Sequence, residues 1–592
     1  MTTNKLLLTG IFKPFGVSDE YGEALCTMEL LNNQVTREQG IHSPRSNNPS
    51  FGLYLIAENV QVPTTVLDFP WWKDFTREVD SGEYTHIGIS FIVPNVMKAK
   101  RMADYIREKS PKTKILLGGH GTSIPNLEEI LTFDDACRGE GVAWMRRYFN
   151  EKVDRKIVHP VCPSAVTKFV YGGPIVRDAG IIVTGVGCQN SCRFCATAHK
   201  FEKRYTAFLF SGREVFEACE KTEKAMKVTD FALMDENFCK SPRRARQLLE
   251  EMTKAGKAYT FATFSSAETI GKLGIDFLVR LGVKFLWIGV ESKANVFEKT
   301  QGVDLHKLIA DLQNHGITVL ASAILFMEHH DKESIHEDID WAISLESDLL
   351  QFMEFGPIPG TKLYKDYDAA GKLLKDVPWP KQHGQDEIWF HHPHFTPKET
   401  AVYTRNAFIK KFQTHGPGVI SMAQTYLKGY LTVQRETTER EAKGLVWNAE
   451  LLRYVQGGKP GAVDEFMRKR LEAMRESALE FRPILTAAVD HAPNEAAREK
   501  AKKVRAAFNE TFGAPTVLDR VMSGAVRVLA VSEKIRVMVK GGDVMRQPKT
   551  NRVAYPDRTG LDQSADGQRW THAPGMPLVE DTADVVADIT AG

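Results

Sequence analysis

The chain has 592 residues, of which 43% are hydrophobic and 26% are charged, and its formal net charge is +2. At about 100–200 residues per domain, this length predicts three or four domains. The near-neutral charge gives no global argument for nucleic-acid binding, and no run of about 20 apolar residues is present to predict a transmembrane helix.

The first residues, MTTNKLLLTGIFKPFG, contain a short apolar run after a single lysine. A signal peptide needs a longer apolar stretch and a cleavage site of small residues. We therefore expect a buried first strand and a cytoplasmic location. Five of the eight cysteines are widely scattered, as expected for reduced thiols in that compartment.

Residues 1–160 are expected to form one domain, because strand and helix patterns alternate along them. Apolar or β-branched runs predict strands at 5–12, 64–69, 86–93 and 114–117. Helical spacing predicts helices at 51–59, 96–108, 126–131 and 142–150. This alternation predicts an α/β fold with a doubly wound parallel sheet, covered by helices on both faces. Residues 161–178, rich in Pro and Gly, predict a linker.

A second β/α series covers residues 179–400. Strands are predicted at 181–185, 230–234, 259–264, 285–290, 318–326 and 349–355. Helices are predicted between them at 213–226, 242–254, 268–281, 305–314 and 334–345. Six repeats predict a partial (β/α)6 barrel, which is short of the usual eight.

After residue 400 the strand pattern fades, which predicts a mainly α-helical region at 401–540. Apolar residues recur at helical spacing over 463–481, and 495–512 is a second, more charged helix candidate. The apolar face of 463–481 could dock on the barrel or contact a lipid surface, and we favour docking. Residues 541–592 are polar, contain Pro and Gly, and predict an irregular tail.

The most informative segment is GVGCQNSCRFCATAHKF, which places three of the eight cysteines within eight residues. Cys188, Cys192 and Cys195 are spaced C-x3-C-x2-C, directly after a predicted strand. Thiolates are soft ligands suited to iron–sulfur clusters, and most four-iron clusters take four cysteines. Three cysteines in one tight loop would leave one iron open to bind a small molecule.

Two other interpretations of these cysteines are weighed. Structural zinc normally takes four ligands, and His199 could complete the set as C-x3-C-x2-C-x3-H. A disulfide with one spare thiol is less compatible with a cytosolic chain. We favour the cluster over both.

With Phe194 before the last cysteine, the segment reads C-x3-C-x-aromatic-C after the first strand of a partial barrel. It thereby resembles the motif of the radical S-adenosylmethionine (SAM) superfamily. The resemblance implies a [4Fe–4S] cluster whose open iron is chelated by SAM and which cleaves SAM to a 5′-deoxyadenosyl radical. It also implies an electron donor such as flavodoxin or ferredoxin.

Further segments fall where that fold would contact SAM. The segment FALMDENF ends the second strand in Asp235, Glu236 and Asn237, although an ordinary helix N-cap before Ser241 explains these residues equally well. IGVESK resembles the fourth-strand motif of the family and places Glu291 and Ser292 toward SAM. The motif aromatic Phe194 is expected beside the same ligand. FGPIPGTKLY resembles the end of the sixth strand.

The N-terminal domain resembles the cobalamin-binding domain found in one subgroup of the superfamily. LLGGHGTSIPNLEEIL resembles the strand and loop that border the corrin ring, and RGEGVAW resembles the closing turn, because glycines let backbone approach a flat macrocycle closely. The resemblance implies cobalamin contacts from Gly118, Gly119, His120, Gly121, Thr122, Gly139, Glu140 and Gly141. The motif D-x-H-x-x-G is missing, so a cobalt without a histidine ligand is expected.

The resulting expectation is a cobalamin-dependent radical SAM enzyme that methylates an unactivated carbon of a small-molecule or lipid-like substrate. SAM would serve twice, once to methylate cobalt and once to generate the radical. Radical cyclisation or carbon–carbon coupling without methyl transfer is the alternative within the enzyme class. A non-catalytic zinc- and corrinoid-binding protein is the alternative outside it. The segment WFHHPHF is expected to be a packed surface loop rather than a second metal site.

Overall fold

The computed structural model of the chain describes residues 4–14, 20–21, 31–46, 48–162, 167–173, 178–190, 192–294, 300–541 and 546–559. It is mixed α/β, with two six-stranded sheets and many helices. The predicted α/β class is therefore confirmed. Among the described residues, no helix combines the length and apolarity needed to cross a membrane.

The first sheet contains the predicted N-terminal strands. In order along the chain, these strands are β1 (Leu6–Gly10), β3 (Thr64–Asp68), β4 (His86–Ser90), β5 (Lys114–Gly118) and β6 (Asp135–Ala136). These five are mutually parallel, in the order β3-β1-β4-β5-β6. Leu6, Leu7 and Leu8 are at most 2% exposed, because a parallel strand is covered on both faces. The short β2 (Arg45–Ser46) lies outside this sheet.

The helices of this domain are α1 (Phe51–Asn59), α2 (Trp72–Asp80), α3 (Val96–Lys109) and α4 (Gly141–Tyr148). On α3, the residues Val96, Met102 and Ile106 are fully buried, as their helical spacing predicts. The predicted helix at 126–131 is wrong. Asn126 takes a left-handed φ of 50° and only one 3₁₀ turn follows, at Leu127–Glu129, because an α-helix cannot continue through that conformation.

The second sheet is wholly parallel and runs in sequence order. Its strands are β8 (Gly180–Ile182), β11 (Asp230–Leu233), β12 (Thr260–Ser265), β13 (Val283–Glu291), β14 (Thr318–Leu325) and β15 (Leu349–Glu354). The helices between them are α6 (Gly212–Met226), α7 (Pro242–Ala255), α8 (Ala267–Leu273), α9 (Ile275–Leu281), α10 (Leu305–Asn314) and α11 (Ser334–Ser344). All six strands fall within the predicted segments or close to them.

Two details of this sheet differ from the expectation. The single helix predicted at 268–281 is two helices, because Gly274 takes a φ of 80° that interrupts them. The first strand ends at Ile182, and the next residues form a separate antiparallel pair, β9 (Gly185–Val186) with β10 (Thr206–Ala207). This pair brackets the cysteine loop and α5 (Ala196–Lys200).

The predicted helical region is observed, with additions. It contains α13 (Pro397–His415), α14 (Gly418–Ala442), α15 (Glu465–Leu479), α16 (Leu485–Asp490), α17 (Glu495–Phe512) and α18 (Val517–Val539), whereas α12 (Lys362–Ala369) lies within the predicted barrel region. Helices α15 and α17 match the two predicted helices. A hairpin of β16 (Leu445–Asn448) and β17 (Arg453–Gln456) separates α14 from α15.

Helix α15 docks on the second sheet, so the lipid-facing alternative for 463–481 is wrong. Phe466 and Met467 are buried in the main core. The guanidinium of Arg470 donates hydrogen bonds to four backbone carbonyls at 2.7–3.2 Å, which belong to Ala258, Tyr259, Arg280 and Leu281. These carbonyls lie beside the amino ends of strands β12 and β13, where α15 is fastened.

The predicted irregular tail is wrong for one segment. Asn551–Tyr555 forms β18, which pairs antiparallel with β3 at the edge of the first sheet. Val553 and Tyr555 are buried there, and such an edge is a ready template for another strand. In the predicted linker, Thr167–Phe169 forms β7 and pairs with β2, so part of it is tied to the N-terminal region.

Candidate functional site

The three clustered cysteines lie on a loop at the carboxyl edge of the second sheet, between β9 and α5. Gly187 opens the loop with a φ of 89°, and a Cβ there would lie 2.1 Å from the carbonyl oxygen of Arg204. The loop is folded on itself, since the backbone N–H of Cys195 donates to the carbonyl of Cys192 at 3.2 Å. The backbone N–H of Asn190 donates to Sγ of Cys188 at 3.4 Å.

The electrostatics of the loop show that its thiols share one environment. Desolvation raises the pKa of Cys188 and raises that of Cys195 to about 11. The carboxylate of Glu236 and the neighbouring thiols raise both values further. Such thiols are neutral by themselves and become thiolates when a metal binds. The donor set therefore fits a soft metal centre.

The zinc alternative fits the geometry poorly. Thiolates at about 2.3 Å from one zinc lie about 3.8 Å from each other. Among the described residues, the group of His, Cys, Asp or Glu ligand atoms lying within 4.8 Å of one another is His329, His330 and Asp338, without the cysteines. His199 is also engaged, because its Nε2 accepts the backbone N–H of Lys362 at 3.5 Å and its ring bonds the backbone of Cys192.

A cavity of about 280 Å³, named here the site cavity, adjoins the cysteine loop. It lies at the carboxyl ends of the strands, where ligands of such sheets are expected. Four of the predicted SAM contacts line it, namely Phe194, Glu236, Asn237 and Glu291. The structure thus brings residues from the cysteine loop, β11 and β13 to one cavity.

Asp235 lies behind the cavity and serves the fold. Its carboxylate is ion-paired with Arg244 at 2.7 Å and accepts the hydroxyls of Thr184 and Tyr205 at 2.5 and 2.7 Å. The backbone N–H of Asn237 donates to its other oxygen at 2.9 Å. With these partners occupied, Asp235 anchors the turn from which its neighbours project.

Glu236 and Asn237 are the members of this turn that face the cavity. Desolvation raises the pKa of Glu236, and a hydrogen bond with Thr197 of α5 opposes that rise. The amide of Asn237 is held at both ends, because its oxygen accepts the hydroxyl of Ser265 at 2.8 Å and its nitrogen donates to Ser266 at 3.2 Å. Asn237 is therefore positioned in advance of any ligand.

Glu291 lines the site cavity, whereas Ser292 is bonded to Asp338 of α11. Glu291 closes β13 after a register shift and takes a φ of 61°, which is costly for a residue with a Cβ and is typical of functional sites. The hydroxyl of Ser292 accepts the backbone N–H of Ala294 at 3.1 Å and bonds Asp338 of α11.

Sequence reasoning missed a third side of the cavity. Glu354 at the end of β15, together with His383 and Trp389, lines the cavity opposite Glu236. Desolvation raises the pKa of Glu354 to about 8 and lowers that of His383 to about 3. The available signal was the position of Glu354 at the end of the sixth strand, next to FGPIPGTKLY.

The predicted cobalamin loop follows β5 and touches the cysteine helix. Lys200 of α5 donates to the carbonyl of Gly119 at 2.9 Å and to the hydroxyl of Thr122 at 3.0 Å. Glycine at 119 and 121 is required by packing, since a Cβ at either would lie 2.4 or 2.2 Å from atoms of Phe91. Gly118, in contrast, has open space at the Cβ position.

Of the remaining predicted cobalamin residues, His120 belongs to that loop, whereas Gly139 and Glu140 line a separate cavity that none of residues 118–122 lines. Desolvation, with a smaller effect of Lys200, lowers the pKa of His120 to about 4. The volume of this second cavity is about 450 Å³. Glu140 also caps α4 by accepting the backbone N–H groups of Val142 and Ala143. Gly141 lies against Ile56, 2.8 Å from its Cβ position.

The histidine-rich segment packs as a loop. Nε1 of Trp389 donates to the carbonyl of Pro357 at 3.0 Å, and Nε2 of His392 bonds the carbonyl of Met327 at 3.1 Å. The nearby group of His329, His330 and Asp338 is internally bonded, because the backbone N–H of Met327 donates to Nδ1 of His330 and Nε2 bonds Asp338. Because both of its ring nitrogens are bonded within the protein, His330 is a structural histidine.

Comparison with protein-family models gives no match. Among curated proteins, the chain is 24% identical over 238 residues to an uncharacterized methyltransferase of Pyrococcus horikoshii, covering 39% of this chain and 50% of that protein. It is 23% identical over 324 residues to the anaerobic magnesium-protoporphyrin IX monomethyl ester cyclase of Rubrivivax gelatinosus, covering 47% and 58%. The chain thus spans roughly half the length of the curated relatives it matches.

Among solved structures, the chain is similar to the radical SAM methyltransferase TsrM of Kitasatospora setae, solved with cobalamin and a [4Fe–4S] cluster. The TM-score is 0.49 at 16% identity, covering 80% of this chain and 99% of that one. The chain is thus similar to one protein described as a radical SAM methyltransferase and to a second one named a methyltransferase.

Proposed function

We propose that this chain is a cobalamin-dependent radical SAM enzyme in which Cys188, Cys192 and Cys195 hold a [4Fe–4S] cluster. The observation that carries the proposal is the geometry of the cysteine loop. Three thiols share one loop beside the site cavity, and His199, which the sequence offers as a fourth ligand, is bonded to backbone instead. One iron of the cluster would then have no protein ligand and could bind a small molecule.

The bound groups would supply chemistry that side chains lack. The cluster provides one electron for cleavage of SAM, and cobalamin provides a methyl-transfer centre. The chain provides binding, orientation and exclusion of water. An electron donor such as flavodoxin or ferredoxin is part of the same proposal, because no described residue can reduce the cluster.

We assign SAM to the side of the site cavity formed by β11, β12 and β13. Glu236 and Glu291 offer carboxylates to the amino group and the ribose hydroxyls, and Asn237 offers an amide already fixed by Ser265. Phe194 and Phe355 both line the site cavity, and their rings pack together with centroids 6.2 Å apart. These rings keep water from the place where a radical would form.

We assign cobalamin to the edge of the first sheet next to the cysteine helix. Gly118 and Gly139 leave open space where other residues would place a Cβ, as close approach of a flat ring requires. Lys200 ties the loop of Gly119 to α5, so the two proposed cofactor sites are held in one arrangement. His120 is the nearest candidate ligand, and we retain the expectation of a cobalt without one.

Methylation of an unactivated carbon is the reaction we propose, since one curated relative is named a methyltransferase. A radical ring closure without methyl transfer is the second candidate, because another relative is named a cyclase. The two differ in the fate of the SAM methyl group. A zinc- and corrinoid-binding protein without catalysis is disfavoured by the bonds of His199.

Anaerobic reconstitution with iron, sulfide and cobalamin tests the proposal. The expected protein is brown, contains four irons per cluster and converts SAM to 5′-deoxyadenosine with a reductant. Methyl-deuterated SAM then separates the reactions, since a methylated product gains the label and a cyclised product does not. A colourless protein with one zinc and no SAM cleavage would contradict the proposal.

A further inference from the structure

A third cavity, which lies on the same face of the second sheet as the site cavity, is named here the apolar chamber. Its volume is about 200 Å³, and its wall includes Ala232, Ala262, Phe285, Leu320, Met422 and Phe481. The sheet residues among these lie toward the amino ends of their strands, whereas the site cavity uses the carboxyl ends. The two cavities are therefore stacked along the strands.

Phe264 and Trp287 separate the two cavities and line both of them. Their rings are stacked, with centroids 5.2 Å apart and planes 26° from parallel. The same two side chains thus form the boundary between the site cavity and the apolar chamber. A molecule with one end in each space would lie against both rings.

The apolar chamber exists because small residues replace large ones inside the sheet. The interior of closed β/α barrels is normally filled by layers of bulky side chains. Here Ala179, Ala232 and Ala262 contribute little volume. Protein interiors seldom keep apolar voids of this size, and such voids bind apolar molecules readily. At the far end lie Asp230 and Lys284, ion-paired at 2.7 Å.

The site cavity contains polar atoms that the described protein leaves unbonded. One oxygen of Glu354 accepts the hydroxyl of Thr404 at 2.8 Å, while Oε2 is buried with no described partner. Neither ring nitrogen of His383 has a described partner, although both are buried. Buried polar groups are almost always bonded, and because Glu354 and His383 line the site cavity, a ligand bound there can supply the partners of these atoms.

The protonation of this pair indicates what the ligand offers. Desolvation raises the pKa of Glu354 to about 8 and lowers that of His383 to about 3. These shifts favour the neutral form of each side chain, and in that form each can donate one hydrogen bond and accept another. A neutral hydroxyl or amide satisfies such a pair, whereas a carboxylate or phosphate would also have to lose its hydration in a desolvated site.

We propose that the substrate is a neutral amphiphile, with a hydroxyl or amide group bound by Glu354 and His383 and a hydrocarbon chain lying in the apolar chamber. The inference rests on the proposed function and names its substrate class. The polar group sits on the side of the site cavity opposite Glu236. The carbon atoms next to Phe264 and Trp287 are then the ones presented to the cysteine loop.

Quenching of Trp287 by a brominated alcohol tests the chamber. ω-Bromododecanol is titrated into the full-length, anaerobically purified chain, and the bromine quenches an indole that it contacts. We expect saturable quenching that Trp287→Phe removes. Ala262→Phe fills the chamber and should weaken binding by about tenfold or more, whereas Ala262→Ser, the matched control, should bind as the parent does. Should Ala262→Phe fail to fold, Ala232→Phe fills the same space from β11.

A second comparison tests the polar end. Glu354→Leu should weaken ω-bromododecanol by about tenfold, the value of one buried hydrogen bond, and leave bromododecane unchanged. Equal weakening of both probes, or tighter binding of dodecanoate than of dodecanol, would overturn the assignment of Glu354.

The outcomes separate this inference from the proposed function. Cys192→Ala should still show quenching, because it leaves the chamber intact. A chain that cleaves SAM but shows no quenching of Trp287 overturns the amphiphile assignment. A chain that binds ω-bromododecanol in the chamber but neither holds a cluster nor cleaves SAM overturns the proposed function.

Discussion

The ammonium group of Lys200, which ends the helix after the clustered cysteines, donates a hydrogen bond to the backbone carbonyl of Gly119 at 2.9 Å. Gly119 belongs to the loop that follows β5 of the first sheet. One side chain therefore connects the cysteine loop with the proposed cobalamin loop. Desolvation lowers the pKa of Lys200, so this hydrogen bond lies in a contact from which water is partly excluded.

The first prediction concerns this connection. Lys200→Met keeps most of the side-chain volume but removes the bonds to Gly119 and Thr122. A charged donor in a half-buried contact is worth about 1–3 kcal/mol, so the free energy of unfolding should fall by that amount in a denaturant titration. Lys203→Met, at an exposed position of the same segment, is the control. Equal stability of the two variants would contradict the role given to Lys200.

The second prediction separates a structural from a ligand role for Asp235. Its buried ion pair with Arg244 means that Asp235→Asn should lower the free energy of unfolding by about 3–5 kcal/mol. Glu217→Gln breaks the exposed pair with Arg213 and should cost less than about 1 kcal/mol. An Asp235→Asn chain of parental stability that no longer binds SAM would show that Asp235 is a direct contact instead.

The third prediction tests the docking of α15. Arg470→Met removes four hydrogen bonds to backbone carbonyls, and we expect a loss of about 3–5 kcal/mol because those carbonyls become unsatisfied. Arg468→Met, on the exposed side of the same helix, should change stability by about 0.5 kcal/mol or less. Urea unfolding measures both, and a similar effect of the two would argue against this anchor.

The fourth prediction follows from the pKa of Glu354. Desolvation raises it to about 8, with smaller opposing effects of Thr404 and Arg37 and reinforcing effects of Asp386 and Glu387. The folded chain then holds a proton that the unfolded chain releases above its ordinary pKa of 4.5. Stability contributed by this group is therefore present at low pH and is lost as pH rises toward about 8.

Glu354→Gln removes that loss while keeping an acceptor for Thr404. Its stability relative to the parent should increase with pH by about 1.4 kcal/mol per unit in the middle of the window. Urea unfolding near pH 5 and near pH 8 measures the difference. The exposed Glu346→Gln should follow the parent at both values, and a pH-independent effect of Glu354→Gln would contradict the shifted pKa.

Much of the fold was predictable from the sequence because its signals are local. The six strands of the second sheet are short apolar runs, and the cysteines lie within eight residues of one another. Strand β18 was not predictable, because Asn551–Tyr555 becomes a strand only by pairing with β3, almost 500 residues earlier. Gly274, by contrast, is a local signal for a helix break that was overlooked.

The candidate site was predictable only where its residues lie close together in the sequence. The acidic turn after β11 is visible in the sequence, but only packing shows that Asp235 faces Arg244 while Glu236 faces the cavity. Glu354 and His383 come from separate segments and carry no shared spacing. Gly119 and Gly121 were predicted to admit a macrocycle, and the structure shows that both are needed to pack against Phe91.

The central claim is that three thiolates hold a metal cluster with one corner left for SAM. The most direct test is the formation of 5′-deoxyadenosine by the reconstituted chain and by Cys192→Ala, with Cys219→Ala, which removes a buried thiol of α6, as the control. We expect Cys192→Ala to lose both the visible sulfur-to-iron absorbance and the product, and Cys219→Ala to keep both. Product formation by Cys192→Ala at the parental rate would contradict the account.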